Sequence, residues 1–269
     1  MVTISKLWCY PVKSCQGIAV DTLSLDRFGA TGDRRWMVVN EQRKFVTQRQ
    51  CPRMGQIKVA WDGFILELRA PGMPVLRLPG ELAKLAGTPV HVAVWHDHCE
   101  ALDQGDQAAN WLSQWLGEPV RLVAMPDNTI RYVDAQFAKS NETVSFSDGF
   151  QLLLTSQSSL EQLCNWLGRD IEMERFRPNV AIKGAMPWAE DNLTSIIIDG
   201  QGFQLVKPCS RCVIPSLNLK SGICEPDVLE TLKRYRKGQD GMTYFGQNVL
   251  YRALSGPVTT LSVGQTVLA

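Results

Sequence analysis

Apolar positions over the first third of the chain fall in short, often alternating runs, at residues 3–10, 18–25, 36–40, 45–49, 56–61, 64–69, 75–78 and 90–95. Runs of this length bounded by turn residues predict antiparallel strands joined as hairpins and meanders. The breaks carry turn chemistry, with Gly29 and Gly32 around the first and Asp62-Gly63 and Pro71-Gly72 at later ones. The period then changes. Ala108, Trp111, Leu112, Trp115 and Leu116 recur at helical spacing, predicting a helix over 107–116 capped by Asp106 and ended by Gly117. Leu160, Leu163, Cys164 and Leu167 define a second helix over 159–167, behind a capping box of Ser158 and Glu161. A third, over 226–237, opens on Pro226 and presents Val228, Leu229, Leu232 and Tyr235 on one face.

Around these helices lie strand-like runs at 120–124, 151–154, 179–183, 194–198, 202–208, 242–252 and 259–267. Strands and helices segregate without regular βαβ alternation, so the pattern predicts an α+β, β-rich chain or a helix-decorated barrel, not a doubly wound sheet. Residues 126–147 are polar and aperiodic and read as a long mobile loop near a binding face.

Composition narrows the functional classes. The 269 residues carry 28 Lys plus Arg against 27 Asp plus Glu, so no global field favours nucleic acid or an anionic membrane surface. An anion site must be built locally, from a few converging cations and backbone N–H groups. No apolar stretch approaches the length of a membrane span, and the first residues lack a signal-peptide pattern, which predicts a soluble, cytoplasmic chain. In a reducing compartment the eight scattered cysteines read as thiols or ligands, and no structural disulfide is expected.

The densest chemistry is Lys207-Pro208-Cys209-Ser210-Arg211-Cys212, at the end of a strand-like run. A cation beside a thiol favours the thiolate, which is both a nucleophile and a soft metal ligand. A lone C-x-x-C also occurs in zinc sites and redox dithiols. Zinc would need a second ligand pair, and only Cys224 and the His96-Asp97-His98-Cys99 cluster offer one. A redox dithiol would open a helix, whereas this motif leads into Val213-Ile214-Pro215. Two further groups, Phe176-Arg177-Pro178-Asn179 and Gly32-Asp33-Arg34-Arg35-Trp36, suit a phosphorylated heterocycle, since guanidinium binds phosphate bidentately and an amide reads a ring edge. The alternative is that these arginines are solvated or pair with Asp33 and Glu174. Taken alone, Lys13 is a surface lysine, Cys209 a buried thiol and Asp148 a turn residue. His91, His96 and His98 read as a surface cluster, and the tryptophans, Trp111 and Trp115 among them, as core. Cys9, Cys51, Cys99 and Cys164 sit in apolar contexts and read as inert.

In order along the chain stand Tyr10-Pro11-Val12-Lys13-Ser14, Asp33–Trp36, Gln48–Gln50, Phe176–Asn179, Cys209–Cys212 and Phe245-Gly246-Gln247-Asn248. This succession, which covers nearly the whole chain, resembles proteins that join an N-terminal MOSC β-barrel domain to a MOSC domain, above all the mitochondrial amidoxime-reducing components and their bacterial relatives. The resemblance implies an N-terminal antiparallel β domain over 1–117 and a β-barrel-like MOSC domain with covering helices over 118–269. It implies a molybdenum cofactor, with molybdopterin, whose metal takes Cys212 as ligand and catalytic thiolate. Positions matching the family's pterin and phosphate contacts are Lys13, Ser14, Arg34, Ser156, Arg177, Asn179 and Arg211.

The implied activity is reduction of small N-hydroxylated substrates (amidoximes, hydroxylamines, N-hydroxylated bases), a detoxifying oxidoreductase; pyridoxal phosphate binding also accompanies the family as a general term. Some bacterial relatives end in a plant-type ferredoxin domain, whose C-x-x-x-x-C-x-x-C run is not found here, so electrons are expected from a separate ferredoxin- or flavoprotein-like donor. Two rival readings of the same cysteine are a persulfide carrier for metal–sulfur cluster or cofactor sulfuration and a non-catalytic carrier of the cofactor.

Overall fold

The computed structural model describes residues 1–138, 141–251 and 259–269. Its strands follow the chain as β1 (Thr3–Cys9), β2 (Ile18–Val20), β3 (Thr22–Asp26), β4 (Gly29–Ala30), β5 (Trp36–Asn40), β6 (Lys58–Trp61), β7 (Ile65–Arg69), β8 (Leu76–Pro79) and β9 (Thr88–Val94). They continue as β10 (Asp97–Asp103), β11 (Val120–Ala124), β12 (Leu152–Ser156), β13 (Val180–Lys183), β14 (Ser195–Ile198), β15 (Gln201–Ser210), β16 (Tyr244–Tyr251), β17 (Thr260–Ser262) and β18 (Val267–Leu268). The helices are α1 (Asp106–Leu116), α2 (Gln157–Leu167) and α3 (Asp227–Tyr235). The chain is thus α+β and β-rich, as the periodicity predicts.

A curled eight-stranded sheet, ordered β18-β14-β15-β16-β12-β13-β1-β2, forms the larger half. Its two faces are read directly from β1, because successive side chains of a strand point opposite ways. Leu7 enters the core inside the curl with Leu154, Ile182 and Val249, whereas Trp8 faces the layer covered by α2 and α3, with Leu163, Phe176, Leu232 and Phe245. A second, four-stranded sheet (β5-β11-β10-β9) and the β6-β7-β8 meander share a core with α1, where Trp111 and Trp115 are buried. In sequence terms the division at 117/118 stays a proposal about units; in space the strands interlock across it, since β1 pairs with β13 and β11 pairs with β5 and β10.

Several expectations are corrected. The run over 45–49 is not a strand beyond the bridge at Phe45, because Thr47 and Gln50 close a turn in which Thr47 O accepts from the Gln50 and Cys51 amides. The run over 18–25 splits at Asp21 into β2 and β3, which belong to different sheets, and 259–267 splits into β17 and β18 around a Gly264 turn at φ 91°. Arg252, at the end of the predicted 242–252 strand, lies outside the described residues. No capping box forms at α2, which starts earlier, at Gln157; Ser158 Oγ instead donates to Ala185 O. Asp106 is the first helical residue rather than the cap and pairs with Arg121. Within 126–147, Lys139 and Ser140 lie outside the described residues, and the rest is pinned: buried Arg131 donates to Ser145 O and Ser147 O and pairs with Asp97.

Candidate functional site

Three chain segments are laced together where β1 ends. Tyr10 N donates to Asp33 Oδ1 (2.8 Å), Arg34 N to Tyr10 O (2.8 Å) and Phe146 N to Arg34 O (3.0 Å). These bonds set Tyr10–Ser14, Asp33–Trp36 and Phe146–Gly149 side by side. From the other half, β15 bulges between Leu205 and Lys207 and again between Pro208 and Ser210, opposite β16. Bulges twist a strand and re-aim its side chains, and Pro208, which has no amide to give the ladder, fits such a place. The result delivers Cys209-Ser210-Arg211-Cys212 to the same cleft, of about 380 Å³, that the laced segments line.

Six of the seven distinct positions predicted to contact cofactor meet there with Cys212: Lys13, Ser14, Arg34, Arg177, Asn179 and Arg211. Ser156 does not. It is buried at the end of β12, with its hydroxyl paired to Ser158 Oγ at 2.8 Å, and it does not line the cleft. β12 brings its first two residues, Leu152 and Leu153, to the cleft, and Ser156 lies at the strand's other end.

The sequence reading assigns no site role to Arg49, Trp95, Arg175 or Lys207, although Lys207 opens the Cys209–Cys212 motif, and all four line the cleft; it sets Asp148 aside as a turn residue. Asp148 accepts from Lys13 Nζ (2.6 Å) and from Trp95 Nε1 (3.1 Å), so it belongs to the mouth of the site. A signal for Arg49 is present in the Gln48–Gln50 element; Trp95 has none beyond its place at the β9–β10 turn.

Each predicted residue has a distinct setting. Asn179, 2% exposed, is a staple: its Oδ1 accepts from Leu153 N (3.1 Å) and Arg34 (3.5 Å), and its Nδ2 donates to Trp8 O (3.3 Å). Arg211 is also held by backbone, donating twice to Phe245 O (2.9 and 2.7 Å) and once to Phe176 O (2.9 Å). The guanidinium thereby fixes the loop that carries Cys212. Gly246, at φ 77°, is needed for the close approach of β16 to β12, because a Cβ there would stand 2.6 Å from Leu154 O.

Arg34 and Arg177 each stack on the Tyr10 ring, 4.4 Å from its centroid. Arg34 pairs with Asp33, while Arg177 Nη1 donates to Cys15 O (2.6 Å) and its Nη2 is buried with no hydrogen-bond partner among the described residues. Burial, reinforced by the charge of Arg34, pushes the Arg177 guanidinium down to about 10. An unpaired buried cation of this kind is costly unless something anionic meets it. Ser14, Arg34, Trp95 and Arg177 all sit at positive φ (67°, 48°, 60° and 56°), and such strain in non-glycine residues collects at binding sites. Burial also raises the Cys209 thiol above its ordinary value, against the opposing charge of Arg211.

Lys13 yields a pH prediction. Burial pushes its ammonium down to about 8, against the pull of Asp148, whose side chain is 71% exposed. A lysine with a depressed folded pKa binds its proton less well in the native than in the unfolded state, so its contribution to stability grows as pH rises from about 8 toward the unfolded value. Anion binding runs the other way, because the cation is lost over that window. Sulfate, which does not titrate here, is expected to bind the cofactor-free protein severalfold more weakly at pH 9 than at pH 7, and Lys13→Arg to abolish that decline. A flat calorimetric affinity for wild type from pH 7 to 9 would remove Lys13 from the anion site.

Residues 1–119 match the MOSC N-terminal beta barrel domain and residues 141–268 the MOSC domain. The chain is 33% identical to mitochondrial amidoxime-reducing component 1 of Mus musculus over 98% of its own length and 81% of the relative's, and 32% identical to that of Homo sapiens over 98% and 82%. It is 28% identical over 99% of its length to the molybdenum cofactor sulfurase of Danio rerio, of which it spans 34%. The chain therefore belongs to the family of MOSC-domain proteins that includes the mitochondrial amidoxime-reducing components.

Proposed function

We propose that the cleft holds a molybdenum cofactor, with Cys212 as the metal's protein ligand, and that the chain reduces small N-hydroxylated substrates with electrons from a separate donor protein. The observation that carries this is the charge of the cleft: among the described residues seven lysines and arginines line it against Asp33 and Asp148 alone, in a chain whose formal net charge is +1. That concentration fits a phosphorylated ligand, and the unpartnered Arg177 Nη2 is a donor awaiting an acceptor. The size fits a pterin-sized molecule as well. Among the described residues no three His, Cys, Asp or Glu side chains converge as a metal cage, so a metal at Cys212 would take its other ligands from an organic group.

When bound, the cofactor supplies the two-electron chemistry that removes the substrate's oxygen. The chain's own residues do the rest. Lys13, Ser14, Arg34 and Arg177 would seat the phosphate and pterin, with Asn179 and Arg211 fixing the strand and loop beneath them. Asp148, at the mouth between Lys13 and Trp95, is kept ionised because the Lys13 charge and the bonds from both residues outweigh its desolvation, and is placed to orient an amidine-like cation. No helix among the described residues is long and apolar enough to cross a membrane, and a cytoplasmic location forms part of the proposal.

The test is elemental analysis and oxidised-pterin fluorescence of the protein from a cofactor-competent host, followed by dithionite-driven reduction of an amidoxime. Near-stoichiometric molybdenum with turnover is expected. Cofactor without turnover would leave a carrier, and one extra sulfur on Cys212 without molybdenum would leave a persulfide donor.

A further inference from the structure

Five aromatic rings run in unbroken contact from the surface to the cleft. Tyr235, at the end of α3, stacks on Trp166 of α2 with centroids 4.3 Å apart and planes at 15°. Trp166 stacks on Trp188 (5.5 Å, 9°), Trp188 meets Phe245 edge-on (5.7 Å, 86°), and Phe245 stacks on Phe176 (3.9 Å, 21°). Phe176 lines the cleft together with Cys212, and its carbonyl holds Arg211. Electronic coupling decays steeply across empty gaps and more gently through contacting π systems, and stacked or edge-on pairs at these separations leave no gap. The stack opens to solvent at its outer end, where Tyr235 is 49% exposed.

That outer end is also basic. Lys233, Arg234 and Lys237 surround Tyr235 in sequence, all three are exposed, and none forms an ion pair among the described residues. Arg236 is different: it stacks on Trp188 (4.1 Å) and pairs with Asp191, which fixes the middle of the stack. An exposed aromatic ring at a helix end whose neighbouring solvated side chains include three cations without ion pairs is a surface complementary to an acidic protein. Neither Tyr235 nor these cations line the cleft, so a protein seated here and a substrate in the cleft do not contend for the same residues.

We propose that the Tyr235 end of α3 is the docking surface of an acidic one-electron donor protein, coupled to the Cys212 cleft through Trp166, Trp188, Phe245 and Phe176. The inference rests on the reductase reading above. Two donor molecules each give up one electron per turnover; with two protons from solvent these convert one N–OH group to N–H and release its oxygen as water.

The test titrates the 15N-labelled protein with a plant-type [2Fe–2S] ferredoxin, an acidic one-electron carrier, at two salt concentrations. Shifts clustered at 233–237 and the Trp166 indole are expected, with affinity falling as salt rises. The triple charge reversal K233E/R234E/K237E should weaken binding about tenfold, equivalent to about 1.4 kcal/mol, with the melting temperature lowered slightly because two of the cations stand in the last turn of α3. Trp166→Leu should bind ferredoxin normally yet slow ferredoxin-driven turnover more than dithionite-driven turnover. No binding, shifts confined to Trp95 and Met242 at the cleft, or an unchanged affinity in the triple variant would overturn the docking surface. Equal slowing with both reductants in Trp166→Leu would reduce the stack to packing. Ferredoxin binding that persists in a protein inactive even with dithionite would instead overturn the reductase reading and leave the surface standing.

Discussion

Cys212→Ala is expected to lose molybdenum by at least about a hundredfold in affinity, since removing even an outer-shell partner of a metal ligand costs about 10–100-fold. The fold should survive, because Cys212 is half-exposed on a loop held by other groups: Arg211 by the carbonyls of Phe176 and Phe245, and Arg211 N by Thr243 O. Metal content by elemental analysis and thermal denaturation therefore separate the two effects. Cys209→Ala supplies the internal control. Its sulfur lines the same cleft from the bulge between Pro208 and Ser210, but burial favours its protonated form, so this variant should keep most of its metal. Equal loss of molybdenum in both variants would assign the metal to the pair rather than to Cys212, and retention in Cys212→Ala would remove the thiolate ligand altogether.

How much of this is legible in the sequence depends on whether a feature is local. The helical periods of α1 to α3 and the strand runs on β1, β5, β7 and β11 are carried by a buried stripe within one element, and sequence alone places them. β10 escapes because Asp97-His98-Cys99-Glu100 reads as a polar cluster; its alternation, with Cys99 and Ala101 buried between less buried neighbours, is short and begins beside an exposed tryptophan. The failed capping box at Ser158 has the same origin: the serine finds a better partner in Ala185 O, twenty-seven residues away, which no local rule can weigh. In the site, the residues recovered are those inside compact motifs. Ser156 stands outside any of them, and only the pairing of β12 between β13 and β16 decides that it faces Ser158 rather than the cleft. Asp148 and Trp95 meet at the mouth only because the β9–β10 hairpin and the Phe146–Gly149 segment are folded against each other, so their contact is purely tertiary.

Arg177→Met should separate binding from stability in the opposite sense to most core substitutions. In the protein as folded, this guanidinium has one backbone acceptor, Cys15 O, and a buried nitrogen with none, and its pKa of about 10 records the cost of holding the charge there. A group whose protonated form is destabilised by folding contributes unfavourably at neutral pH, and an apolar side chain of similar length relieves that cost while still packing on Tyr10. The empty variant is therefore expected to melt at or slightly above the wild-type temperature. Its affinity for an anion in the cleft should fall by about tenfold to a hundredfold, the range for removing a hydrogen bond to a charged partner of about 1.5–3 kcal/mol. Sulfate titration by calorimetry and thermal scans of the same cofactor-free preparations measure both. A variant that melts well below wild type with sulfate affinity intact would make Arg177 a structural staple like Asn179, and would shift the weight of anion binding to Lys13 and Arg34, the two cations that already hold acidic partners of their own.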